Sequence, residues 1–140
     1  MPTRLALVWT VGHADDYPPK IGAKARAAGT SHDAMFENAL KIGVPIAFGT
    51  DAAVSPHGIN AQEFGDMVDL GMSPSAALLS SSQGSAKLLG IDGETGTLEA
   101  GKFADIVAVP GDVLQDIRAT EKPLLVMKQG VVVLGDSNGG

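Results

Sequence analysis

Two uncharged, mainly apolar runs bracket a helical pattern, and that order limits the folds open to this chain. Leu5 to Val11 (LALVWTV) and Val44 to Phe48 (VPIAF) carry no charge. Neither alternates polar with apolar positions, so each reads as a strand buried on both faces. Pro45 removes one ladder donor near the start of the second run, where that is tolerated. Between them, TSHDAMFENALKIG predicts a helix. Thr30 or Ser31 caps its start, Met35, Phe36, Ala39 and Leu40 share one face, and Gly43 takes the C′ position. Residues from Ile21 to Gly29 read as a short helix or an ordered loop, after a breaker at Pro18 and Pro19. Strand, loop, helix and strand together imply a right-handed parallel crossover.

A sheet covered on both faces needs apolar material. The chain has 140 residues, 44% of them hydrophobic and only 4% aromatic. Its core must therefore be built from aliphatic side chains and methionine. The net charge of −6 argues against nucleic-acid and anionic-membrane partners, which need clustered Lys and Arg. With no cysteine, disulfides, thiolate nucleophiles and thiolate metal sites are excluded, and a cytoplasmic location is expected. No apolar run approaches the roughly 20 residues that span a bilayer. MPTRLALVWTVGHA has the outline of a short signal peptide. With a single Arg before a minimal apolar stretch, a buried strand is the preferred reading.

Further along, Asn60 and Glu63 have capping-box spacing before a helix with Phe64, Met67 and Val68 on its buried stripe, ended by Gly71. Ser73 and Pro74 start another helix, which Gly84 ends or bends. Beyond Gly90 the texture changes to turns and short strands, including ADIVAV and a hairpin from Leu124 to Leu134 turning at Lys128 to Gly130. The last residues, 135–140, read as a disordered tail.

Four motifs bear on chemistry. GTLEAGKF matches a phosphate-binding loop at Gly96, Gly101 and Lys102, but Phe103 stands where Ser or Thr is required, and a strand rather than a helix follows. A tight turn explains it better. Ser55, His57 and Asp51 crowd one loop without a nucleophile-elbow motif. His13 and His32 lack paired-histidine spacing and read as solvent-facing, and His13, Asp15 and Asp16 read as a solvated loop. Asp51 follows the apolar run Val44 to Phe48. It is open to two readings: an acid at the carboxyl end of a buried strand, where α/β folds gather ligands, or a turn or helix-capping aspartate.

Taken in order, GVPIAFGTDAAVSPHG, EFGDMVDLGMSPSAALLSSSQGSAKLLG, GTLEAGKFADIVAVPGDVLQDI and VMKQGVVV resemble the C-terminal part of a metal-dependent amidohydrolase. The resemblance is to the imidazolonepropionase-like and Xaa-Pro dipeptidase-like branch. It implies an α/β fold: the C-terminal portion of a (β/α)8 TIM barrel plus the C-terminal strands of a small β-sandwich. Leu5 to Val11 would be barrel strand seven and Val44 to Phe48 strand eight. Residues 1–90 would form the partial barrel and 91–134 the sandwich portion.

The resemblance also implies that Asp51 binds a catalytic zinc or another divalent metal and takes a proton from metal-bound water. Such a cation lowers the pKa of water from about 15.7 towards 7. His57 would line the substrate pocket. The substrate would be a small amide, cyclic amide or dipeptide. The family's remaining ligands, an H-x-H pair, a strand-four lysine and two further histidines, have no counterpart here. One carboxylate does not hold a catalytic zinc, which takes about three protein ligands. The chain thus reads as the last quarter to third of a hydrolase, inactive by itself, with a missing N-terminal portion or a homo-oligomeric partner. The alternative is a non-catalytic α+β module that associates with itself or with a partner through exposed strand edges.

Overall fold

The computed structural model describes residues 2–135. Helix α1 (Arg4–Gly12) leads through a 3-10 turn (Ala14–Asp16) into the long helix α2 (Pro19–Lys41). An extended segment and loop follow, then α3 (Gln62–Asp69) and α4 (Pro74–Leu79). A π-helical turn (Ser80–Gly84) joins α4 to α5 (Ser85–Leu89). Strand β1 (Ile106–Ala108), a 3-10 turn (Ile117–Glu121), β2 (Leu125–Lys128) and β3 (Val131–Leu134) complete the order. The strands form one antiparallel sheet, β1-β2-β3. Val107 faces Val126, and Lys128 faces Val131, across its ladders. The architecture is α/β with a small three-stranded sheet.

Leu5 to Val11, expected as a strand, is helical. A short apolar run suits a buried helix as well as a buried strand. A strand needs a neighbouring ladder, and every strand among the described residues lies at Ile106 or beyond. A helix satisfies its own backbone groups, and this one buries Leu5 and Ala6 as it packs on α2 and α3. Val44 to Phe48 likewise joins no ladder and runs as an extended segment. The expected parallel crossover is therefore not formed within these residues.

Helix α2 starts well before Thr30. Pro19 opens it at a first-turn position, where the missing N–H costs nothing. Ser31 caps nothing; its hydroxyl donates back to the Ala27 carbonyl at 3.1 Å. Phe36 is buried, but Met35 on the expected apolar face is 52% exposed. The far end follows expectation. Gly43 sits at φ 73°, its N–H donates to Leu40 O, and the Val44 N–H donates to Ala39 O, which is a Schellman closure.

Ser73 caps α4 by accepting the Ala76 N–H at 3.2 Å. Asn60 and Glu63 do not form a capping box, because α3 begins at Gln62 after Ala61 with no side-chain cap. The hairpin turns at Gln129 and Gly130, both at positive φ. GTLEAGKF is a turn closed by Phe103 N–H donating to Glu94 O, and no helix follows it. Lys102 is engaged locally, with Nζ 2.7 Å from Thr97 Oγ1. Apart from Gly135, the expected tail lies outside the described residues.

Candidate functional site

Asp51 ends the extended segment that Gly43 releases from α2. That segment is held from one side by α3 and from the other by the π turn. The Phe48 ring packs on Phe64 at 4.4 Å. The Phe48 N–H donates to Ser80 O at 3.1 Å. Ala47 and Thr50 are buried, and Asp51 itself is exposed. Its φ of 51° is left-handed, and Ala53 stands at 138°. Aspartate tolerates the left-handed region in turns, whereas alanine adopts a φ like that of Ala53 only where the surroundings impose it. A turn closes behind Asp51, whose carbonyl accepts the Val54 N–H.

Ser55 is buried with its hydroxyl unpartnered. His57 is exposed on the same loop. Ser55, His57 and Asp51 share the loop without a hydrogen bond among their side chains to mark a triad. Among the described residues, no three His, Cys, Asp or Glu side chains gather to hold a metal. These residues alone do not fit a catalytic zinc. His13 and His32 are not solvent-facing as expected. His13 stacks on Trp9 at 4.1 Å, with Nδ1 2.8 Å from the Trp9 carbonyl. His32 places Nε2 2.7 Å from Pro2 O.

The strongest electrostatic constellation lies away from this loop, where α1, α2 and α3 meet. Glu63 has no exposed surface. Its two oxygens accept the N–H groups of Arg4 and Leu5 at 3.0 and 2.7 Å. These are free donors at the start of α1, so Glu63 caps a helix distant in sequence. Arg4 then forks onto Asp33 at 2.9 and 3.1 Å and reaches Asp66 at 3.1 Å. Burial pushes the carboxyls of Glu63 and Asp66 above their usual range, outweighing the bonds they accept. Arg4 holds Asp33 below its usual range. Sequence reasoning missed this cluster, because its members are separated by dozens of residues.

Comparison with known proteins bears on which chemistry this frame belongs to. The chain resembles a Xaa-Pro dipeptidase solved with methionine bound in its active site, with 37% identity and a TM-score of 0.91 over 96% of this chain and 34% of that one. A putative prolidase from Bifidobacterium longum is 28% identical with a TM-score of 0.85, covering 98% of this chain and 35% of that one. The A. niger ochratoxinase is 27% identical with a TM-score of 0.75, over 98% and 32%. The chain spans about a third of the length of these solved relatives. No curated protein matches it. The sequence profile of the Amidohydrolase family matches residues 11–133, and the chain belongs to that family.

Proposed function

We propose that this chain is part of a metal-dependent hydrolase of C–N bonds acting on a small amide, cyclic amide or dipeptide. The likeness to the Xaa-Pro dipeptidase carries the reading. Asp51 is the carboxylate this chain contributes as metal ligand and proton acceptor, and His57 lines the substrate pocket. The place of Asp51, on an exposed loop directly after the segment packed between α3 and the π turn, supports that role. The described residues hold no three-ligand cluster, so the activity needs ligands from elsewhere and the 140 residues alone are inactive.

The test is a chimaera in which these residues replace the matching third of the Xaa-Pro dipeptidase. The chimaera hydrolyses a Xaa-Pro dipeptide, and Asp51→Asn lowers its kcat by about 10² to 10⁴-fold, the span of a lost acid–base group. Unchanged turnover in Asp51→Asn defeats the assignment. Dipeptide hydrolysis by the 140 residues alone defeats the claim of incompleteness. The second reading, a self-associating module, is favoured by the apolar side chains exposed on both outer strands of the sheet, Val107, Val131 and Val133.

A further inference from the structure

We propose that the π-helical turn Ser80–Gly84 is the positioning element for Asp51, acting through the backbone carbonyl of Ser80 and the absent side chain of Gly84. The inference rests on the reading of Asp51 given above for its functional consequence, though not for its geometry. A continuous α-helix from Pro74 to Leu89 would commit each interior carbonyl to the N–H four residues on. A π turn widens the helix and breaks that register, and such turns are frequent at functional sites. Here the Ser80 carbonyl accepts the Phe48 N–H at 3.1 Å and the Ser85 hydroxyl at 2.9 Å. The Ser80 hydroxyl is tied down in turn, donating to Ala77 O at 2.7 Å.

Gly84 lets the extended segment lie against the turn. A Cβ there would stand 3.3 Å from both Ile46 O and Leu79 O. Its φ is ordinary for a helix, −62°, so what an added carbon would meet there is a tight contact and not a forbidden backbone angle. The Phe48–Phe64 contact holds the other flank. The segment joins no ladder among the described residues. Within these residues the clamp at Ile46 and Phe48 fixes the direction in which the chain reaches Asp51. The serine run SSSQGS marks this turn in the sequence, since hydroxyls that bond backbone carbonyls suit an irregular helix.

Amide hydrogen exchange of the 140-residue protein, read by NMR, tests the clamp. In the unaltered protein the Phe48 amide exchanges within about threefold of the Ala86 amide, because the two open as one unit. Exchange of Phe48 about tenfold or more faster than Ala86 overturns the proposal. Gly84→Ala introduces a better helix former yet crowds Ile46. It speeds Phe48 exchange by about tenfold and shifts the Asp51 carboxyl carbon resonance, while the Met67 amide in α3 is unmoved. Unchanged Phe48 exchange with an unchanged Asp51 resonance overturns it. If Gly84→Ala fails to fold, the comparison of Phe48 with Ala86 decides alone. Full activity of the Asp51→Asn chimaera would remove the hydrolase reading and leave the clamp standing. Loss of the clamp leaves that reading to its own test.

Discussion

Glu63 ties the start of α1 to α3. It is sealed from solvent and satisfies the two leading N–H groups of α1. Glu63→Ala strands those donors and is expected to cost about 3 kcal/mol, the penalty of leaving buried N–H groups unpaired; urea unfolding measures it. The pH dependence follows from burial. The folded-state pKa is raised, so the contribution to stability is fully present below the ordinary glutamate range and is lost as pH rises through the raised value. Asp33 has the opposite sign: held low by Arg4, it stabilises above the ordinary aspartate range and loses that effect as pH falls. Urea midpoints across a pH series should lose the first slope in Glu63→Gln and the second in Asp33→Asn. The spacing of Asn60 and Glu63 pointed to a capping carboxylate, and Glu63 is one. It serves α1 instead of α3, because only the fold brings α1 to it.

At the scale of elements, the α1–α2 hairpin depends on close approach. A Cβ on Gly22 would overlap the Ala14 carbonyl oxygen, and one on Gly29 would press on Val11 at 3.1 Å. Gly22→Ala gains about 1 kcal/mol of helix propensity. The overlap is expected to outweigh that, for a net loss of about 1–3 kcal/mol. Gly12→Ala, with nothing within 4 Å of the added carbon, should stay within about 0.5 kcal/mol of the parent. Thermal and urea unfolding of the two variants separate these outcomes. Element ends were legible at Ser73 and Pro74 before α4, at Gly43 after α2 and at the turn before β3, but not at Thr30 or Ser31, which lie inside α2, nor at Asn60. Element type was not legible for Leu5 to Val11, because a run of six apolar residues and one threonine carries no period that distinguishes strand from helix.

For the whole molecule, the unburied apolar surface is the main consequence of the fold. Val131 and Val133 on one outer strand are 64% and 63% exposed, and Val107 on the other is 60%. Neither outer strand has a second neighbour among the described residues. Exposed apolar edges recruit other strands. The isolated chain is therefore expected to sediment as concentration-dependent species and to melt broadly. A monomer with a sharp calorimetric transition would contradict this. No described helix is long and apolar enough to cross a membrane.

Family membership, the Ser73 cap, the Gly43 closure and the antiparallel hairpin were determined by sequence alone, because each is encoded in residues a few positions apart or in an ordered series of motifs. Tertiary structure decided that the first apolar run is a helix, that Glu63 caps it, and that the Ser80 carbonyl takes the Phe48 N–H. Each of those turns on a hydrogen-bond partner more than 30 residues away. A backbone donor does not specify its acceptor until packing places one within reach.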